Sequence, residues 1–343
     1  MVFCPMRTNE EILDLIENHI AQIQLPEEPE YLYAPIIYSM SGGGKRIRPT
    51  LLLLVCEAFG GRVQEALPAA SAVEMFHNFT LLHDDVMDKA DVRRGRPTVH
   101  VKWNENTAIL SGDQMLIEAY KLLSGVPADK LPKVLQLFNK MATEICEGQQ
   151  YDVDFESQEQ VAIDEYLKMI RLKTSVLLAN ALQTGAYIAG ADERAQEVLY
   201  EFGIHIGLAF QIQDDILDVW GDPKTFGKAV GGDISCNKKT FVYLEAMRLL
   251  GDEAMRRKIK GDEARPATEA KSLEKWYSQV LEDNTEKIAA VKEIFEQLDV
   301  RTACEKVVED YTRKALALLE QLPQNEATEQ LRQLANKLNT RKD

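Results

Sequence analysis

Two sets of aspartates of the same shape stand in this chain. One is Asp84-Asp85-Val86-Met87-Asp88 and the other, much later, is Asp214-Asp215-Ile216-Leu217-Asp218. Each follows an apolar run, Phe79-Thr80-Leu81-Leu82-His83 in the first case and Ala209-Phe210-Gln211-Ile212-Gln213 in the second. A carboxylate is costly to remove from water unless it is paired or holds a cation. Six of them in two matched groups, on stretches that otherwise read as core, point to a shared cation site. Residues i and i+4 lie on one face of a helix, so Asp84 projects with Asp88 and Asp214 with Asp218. Hard oxygen ligands suit Mg2+, which takes one or two carboxylates per ion and fills its shell with water and substrate phosphate. The expected chemistry is the handling of a diphosphate by several magnesium ions.

Cations accompany the acids. Gly42-Gly43-Gly44-Lys45-Arg46-Ile47-Arg48-Pro49 is a glycine run ending in three positive charges. Glycines let backbone amides approach an anion, and Lys and Arg supply charge; the same pattern also serves as a plain loop before a helix whose first turn holds Pro49. Arg93-Arg94-Gly95-Arg96 follows the first aspartate set and suits bidentate phosphate recognition, or an ion-pair network with Asp88 and Asp91. Lys173-Thr174 lies in a long apolar stretch where a lysine needs a counter-charge or a route to solvent. Gly227-Lys228, Gly231-Gly232-Asp233 and Lys238-Lys239 follow the second set and read as a mobile loop that closes over phosphate, or as an ordinary polar loop. No Ser-His-Asp or Cys-His order is evident, and His83 reads as a packed histidine.

The elements that must position these groups are helical nearly throughout. Apolar residues recur at helical spacing over 10–24, 48–59, 64–89, 107–123, 130–149, 163–189, 193–220, 240–250, 273–297 and 300–322, with a polar helix over 325–339. Alternating strand patterns are absent. Several stretches are apolar on most faces, which places them inside a bundle. The fold class expected is all-α, in a single domain over 1–343. The charged stretch 251–269, with Gly261 and Pro266, reads as a surface loop or insertion.

Bulk numbers exclude several functions. The 343 residues are 45% hydrophobic and 28% charged, with 40 Lys plus Arg against 55 Asp plus Glu, a net charge of −15. Such a surface repels nucleic acid and anionic lipid. Five scattered cysteines form no CxxC pair, which argues against a disulfide framework or a zinc site and fits a reducing cytoplasm. The start is too short and polar for a signal peptide, and no stretch reaches the roughly 18 apolar residues of a membrane span.

The motifs GGGKRIRP, HDDVMD with RRG downstream, EGQ at Glu147-Gly148-Gln149 with Asp152, KT, FQIQDDILD, GK and a final lysine occur together and in order from about Gly42 to Thr240. In this the chain resembles the trans-isoprenyl diphosphate synthases, the polyprenyl synthetase family. The resemblance implies an isoprenoid-synthase-type helical bundle around a deep central cavity, usually a homodimer. It also implies head-to-tail condensation of isopentenyl diphosphate onto an allylic diphosphate. By position, Asp84, Asp88 and Asp214 would be the main ligands of three Mg2+ ions, with Asp85, Asp215 and Asp218 as supporting carboxylates of the same metal sites. Arg93, Lys173, Lys228 and Lys238 would grip the allylic diphosphate. Gly44, Lys45, Arg48, His77 and Arg94 would bind isopentenyl diphosphate. Thr174 and Gln211 would turn oxygen dipoles toward the allylic cation.

Asn237 departs from the pattern, standing where the family usually has glycine before its last lysine, and the end Arg341-Lys342-Asp343 matches only loosely the basic tail of some members. Phe76, Phe79 and Thr80 share a helix face at i, i+3 and i+4. In the family a bulky aromatic five positions before the first aspartate resembles a stop for short products. Products of C15 to C20 are therefore expected, of the archaeal geranylgeranyl type, because the first aspartate set lacks a two-residue insertion. The same phenylalanines also suit a plain core, and a longer-chain synthase stays open as an alternative. A class I terpene cyclase is a rival that the basic set Lys45, Arg48 and Arg94 argues against. A non-catalytic partner subunit is another, and the six intact aspartates argue against it.

Overall fold

A computed structural model describes residues 7–222, 230–260 and 266–339. It is all-α apart from one two-residue ladder. The helices are α1 (Asn9–Ala21), α2 (Glu30–Met40), α3 (Ile47–Ala58), α4 (Val63–Met87), α5 (Val99–Lys102), α6 (Glu105–Leu123), α7 (Leu131–Ser157), α8 (Ile163–Ile170), α9 (Val176–Ala189) and α10 (Glu193–Trp220). After these come α11 (Gly232–Ser235), α12 (Phe241–Lys260), α13 (Pro266–Tyr277), α14 (Thr285–Gln297), α15 (Val300–Leu319) and α16 (Glu326–Asn339). Strands β1 (Val92–Arg93) and β2 (Arg96–Pro97) form a hairpin. The chain divides into two compact units.

The first unit comprises the chain up to Ala142, Leu177–Glu201 and Leu319–Gln330. α1 begins with a capping box, in which Glu11 N–H donates to Thr8 Oγ1 (3.2 Å) and Thr8 N–H to Glu11 Oε2 (2.7 Å). α4 is the central rod, packed against α3 and α6, and its residues Ala69–Phe76 are all buried. That continuous burial explains why its apolar positions run round the helix rather than along one stripe. The rod ends in a Schellman turn: Ala90 N–H bonds Asp85 C=O (2.9 Å), Lys89 N–H bonds Val86 C=O (3.3 Å), and Lys89 is left-handed at φ 51°. The first aspartate set therefore occupies the last turn of α4, with Asp88 as the cap.

The second unit comprises Thr143–Val176, Phe202–Leu318 and the chain from Leu331. Here α12 packs on α8 and α13, while α14 packs on α11 and α13.

Four expectations need correction. The stretch 273–297 is not one helix: α13 ends at Tyr277 and a new helix starts at Thr285, whose N–H (2.9 Å) and hydroxyl (2.6 Å) both donate to Asp283 Oδ1. Residues 251–260 belong to α12 rather than to a loop, because Glu, Met, Arg and Lys are good helix formers whatever their charge. Pro266 opens α13, where its missing N–H costs nothing; residues 261–265 lie outside the described residues. The stretch 163–189 is interrupted by one π-helical turn over Arg171–Ser175. Helix α2, with Pro35 inside it, carries no sequence signal strong enough to have been read.

Candidate active site

Within the first unit, α4 brings acids and cations onto one scaffold. Asp88 N–H bonds Asp84 C=O (2.8 Å), so the helical spacing expected of this pair holds. Asp84 is partly buried and Asp88 exposed. Asp85 is different: it is buried, and Arg93 Nε donates to its Oδ1 (2.7 Å). Burial pushes the Asp85 carboxyl up from its ordinary value, against the pull of the Arg93 charge. Arg93 reaches it from the hairpin, whose turn residues Arg94 (φ 52°) and Gly95 (φ 73°) are both left-handed, as a type I′ turn requires.

The glycine run is held from two sides. Arg94 Nη1 donates to Gly43 C=O, and its guanidinium lies about where a Cβ on Gly44 would reach, 3.0 Å away. Beneath, Arg46 is 4% exposed, left-handed at φ 43°, and fully engaged. It donates to Glu17 Oε1 (2.8 Å), Glu74 Oε1 (2.6 Å) and Met40 C=O (2.6 Å). Asn78 Nδ2 adds a bond to Glu74 Oε1 (3.0 Å). Arg46 is thus an internal anchor, while its neighbour Lys45 is exposed. Arg48 Nη1 lies 3.1 Å from His77 Nε2. Burial, and then the charges of Arg48 and Arg94, hold the His77 imidazole well below its ordinary pKa, so it is neutral and its Nε2 accepts from Arg48. Between α4, the hairpin and the end of α2 lies a cleft of about 430 Å³, open mouth included, lined by Asn78, Asp85, Arg93, Arg94 and Arg96 among others.

In the second unit, the residues of interest gather around the π-turn. Gly148 on α7 packs against that turn so closely that a Cβ would sit 2.3 Å from Lys173 N, and Gly207 on α10 would meet Ser175 Cα at 2.6 Å. The first of these contacts gives the glycine of Glu147-Gly148-Gln149 its physical reason. Lys173 Nζ bonds Asp152 Oδ2 (2.7 Å), one turn further along α7. Thr174 Oγ1 donates to Gln211 Oε1 (3.2 Å), and Gln211 Nε2 to Asp215 Oδ1 (3.3 Å), so the expected pair Thr174 and Gln211 does come together. Asp215 is buried, and its Oδ2 accepts from Tyr166 Oη (2.7 Å) and from Phe241 N–H (3.1 Å). Burial, with Asp233 nearby, pushes the Asp215 carboxyl well above its ordinary value. Burial first, and Asp215 second, raise the Tyr166 phenol well above its own, so the hydroxyl stays a donor. Asp214 is partly buried; Asp218 is buried and accepts from Asp233 N–H at Oδ2 (3.1 Å).

The two aspartate sets therefore follow one plan. The middle carboxylates, Asp85 and Asp215, are spoken for by their own neighbours and brace the helices. Among the described residues, no three His, Cys, Asp or Glu side chains already converge as a metal cluster. Lys228 and the tail 341–343 lie outside the described residues.

The profile of the family described as "Polyprenyl synthetase" matches residues 29–298. The chain belongs to the polyprenyl synthetase family. It is a trans-isoprenyl diphosphate synthase and so a prenyltransferase. The chain is 43% identical over 244 residues to a geranylgeranyl diphosphate synthase of Methanosarcina mazei, covering 68% of this chain and 75% of that one. It is 34% identical over 335 residues to a short chain isoprenyl diphosphate synthase of Methanothermobacter thermautotrophicus, covering 95% and 97%. A crystal structure of a geranylgeranyl pyrophosphate synthase, 44% identical, superposes with a TM-score of 0.87 over 98% of this chain and all of that one. For a polyprenyl synthetase, the residues that sequence reasoning missed are the supports Glu17, Glu74, Asn78 and Tyr166, together with the anchoring role of Arg46. Glu74 and Asn78, polar at i and i+4 within the apolar face of α4, are the signal that was there to be read.

Proposed function

We propose that the chain condenses isopentenyl diphosphate head-to-tail with an allylic diphosphate, releasing diphosphate and a short all-trans prenyl diphosphate of C15 to C20. The observation that carries this reading is the basic group on the first unit. Arg48, His77, Arg94 and the glycine run 42–44 with exposed Lys45 surround the base of the aspartate helix α4. An enzyme that ionises one allylic diphosphate needs no such second anion site, which disfavours a terpene cyclase.

The roles follow from the donor types. Asp84, Asp88 and Asp214 hold Mg2+, supported by Asp218; they are hard oxygen donors, and three of the four are partly or fully exposed. Bound Mg2+ supplies Lewis-acid stabilisation of the leaving diphosphate. Arg93, Lys173, Lys238 and Lys228 neutralise the same diphosphate as its C–O bond breaks, where charge grows most. Gly44, Lys45, Arg48, His77 and Arg94 hold isopentenyl diphosphate. Thr174 and Gln211 offer oxygen dipoles to the allylic cation, and apolar surroundings keep water from it. The double bond attacks, and the proton lost goes to the departed diphosphate.

Product length is set in this reading by Phe79 and Thr80, both partly buried, with Phe76 packed behind them. Phe76 is 1% exposed and stacks on Phe79 (5.4 Å between centroids) and on Phe138 (5.3 Å). His83 stacks on Phe79 (4.8 Å) and bonds Ile109 C=O (3.1 Å), as a packed histidine does. Proteins with longer products in their names share this fold: a heptaprenyl diphosphate synthase of Staphylococcus aureus superposes with a TM-score of 0.84 at 27% identity, covering 99% of this chain and all of that one. The fold alone leaves the floor to decide.

The test supplies purified protein with Mg2+, labelled isopentenyl diphosphate and dimethylallyl, geranyl or farnesyl diphosphate in turn, and reads products by mass. A discrete C15 or C20 product, lost on chelating the metal, is expected, and Phe79→Ala should lengthen it by one or more five-carbon units. Products of C30 or more from the unaltered protein would overturn the short floor. Hydrocarbon released from an allylic diphosphate alone would turn the reading to a cyclase.

A homodimer belongs to the same proposal. Ile109, Leu110, Ile117 and Tyr120 are exposed on one face of α6 and are the apolar surface a second copy would cover; sedimentation of the purified protein reads this directly. Among the described residues no helix is long and apolar enough to cross a membrane. Cys56, Cys146, Cys236 and Cys304 are free, as a reducing cytoplasm would leave them.

A further inference from the structure

The segment from Gly231 to Phe241 carries Lys238 and is tied at both ends to α10. At its start, Gly231 N–H bonds Asp218 C=O (2.6 Å) and Asp233 N–H bonds Asp218 Oδ2 (3.1 Å). At its end, Phe241 N–H bonds Asp215 Oδ2 (3.1 Å). The described part of the expected closing loop is therefore pinned rather than loose. Its middle is a Schellman turn that ends α11. Lys238 N–H bonds Asp233 C=O (2.9 Å), Asn237 N–H bonds Ile234 C=O (3.2 Å), and Asn237 is left-handed at φ 59°. Glycine takes that conformation most readily, and asparagine is the side chain that tolerates it next best.

What glycine would not supply is a grip on the neighbouring helix. Asn237 Nδ2 donates to Gln279 C=O (3.0 Å), and its Oδ1 accepts from Lys287 Nζ on α14. Lys287 is fully buried. Its other acceptors are the carbonyls of Gln279 (3.2 Å) and Ser235 (3.5 Å). A buried ammonium must keep its hydrogen bonds, so Lys287 holds the turn at Ser235 and Asn237 and the segment after α13 at Gln279 at once. Among the described residues, the Asn237 side chain is its one hydrogen-bond partner there that is not backbone, and the Tyr277 ring centroid lies 5.9 Å from the same Nζ.

We infer that Asn237 and Lys287 are a positioning pair, which fixes the turn before Lys238 to α14 and so presets that lysine for the allylic diphosphate. The inference deepens the proposed function and rests on its assignment of Lys238. Asn237 stands where the pattern resembled usually has glycine, and a glycine has no side chain with which to make this tether.

The test uses the full chain with Asn237→Gly, Lys287→Met and the double substitution. Hydrogen exchange of the Lys238 amide is followed by NMR or mass spectrometry, and KM is measured separately for each substrate. Asn237→Gly keeps the backbone conformation, so folding is preserved. Expected are about tenfold faster exchange at Lys238 and a rise of about tenfold in KM for the allylic primer, with KM for isopentenyl diphosphate unchanged. Lys287→Met should act in the same direction, and the double variant should be little worse than either single one. Exchange and allylic KM both at the unaltered values would show Asn237 to be a mere stand-in for glycine. Faster exchange without a change in allylic KM would overturn the positioning of Lys238. If the unaltered protein condenses nothing, the functional reading fails, and the exchange data still decide whether the tether exists.

Discussion

Asp84→Asn is expected to lower kcat for condensation by a thousandfold or more while the melting temperature stays within a few degrees. Asparagine has nearly the shape of aspartate, and the backbone bond from Asp88 to the Asp84 carbonyl is untouched. What is lost is a partly buried carboxylate oxygen in the last turn of α4. If that oxygen holds Mg2+ against the leaving diphosphate, several kcal/mol of transition-state stabilisation go with it, and about 1.4 kcal/mol is a factor of ten in rate. Asp214→Asn should behave alike. Asp85→Asn supplies the contrast: it strips the counter-charge from Arg93, so stability falls together with activity. A kcat for Asp84→Asn within tenfold of the unaltered protein would remove Asp84 from the metal site.

Arg46→Met should be the most destabilising single change in the first unit. The substitution leaves the Glu74 carboxylate, 3% exposed, without its guanidinium. Breaking a buried ion pair from one side costs about 3–5 kcal/mol, which for a chain of this size is a fall of about 10 °C in melting temperature. Adding Glu74→Gln should return part of the loss, because the stranded charge is then gone. The loss is also expected to reach chemistry. With Met40, Glu17 and Glu74 released, Lys45 and Arg48 lose their fixed bearing, and KM for isopentenyl diphosphate should rise before that for the allylic primer. A melting temperature lowered by less than about 2 °C would show that Arg46 contributes little to holding the loop.

Much of this was legible in the residues. The span 193–220 reads as one helix and is one, because an apolar pattern without breaks leaves the chain no other choice. The aspartate sets, the glycine run and the arginines of the hairpin stand out by type and spacing. Where reading stopped, long-range contact decided. Nothing local separates Asp85 and Asp215 from the aspartates beside them; Arg93, Tyr166 and the amide of Phe241 do so from elsewhere in the sequence. The π-turn at Arg171–Ser175 is likewise invisible in its own residues. It exists where Gly148 and Gly207 let two other helices press against it. Arg46 was read as one of three cations in a run, yet its left-handed backbone points it inward to Glu74. Residues 251–260 misled in the opposite way, since charge was taken for a loop where helix propensity prevailed.

The rod α4 carries the proposed aromatic stop and the aspartate turn on one uninterrupted helix, from Phe76 through Phe79 to Asp84. A helix advances about 1.5 Å per residue and about 5.4 Å per turn. If Phe79 is that stop, the distance between the closed end of the product and its reacting end is a property of helical pitch, indifferent to how loops breathe or substrates shift. Such a gauge works in steps. Removing a bulky side chain one turn further back lengthens the product by about one turn's worth of chain, so catalogues of products among relatives should be discrete, with new lengths reached by single substitutions that never touch the metals.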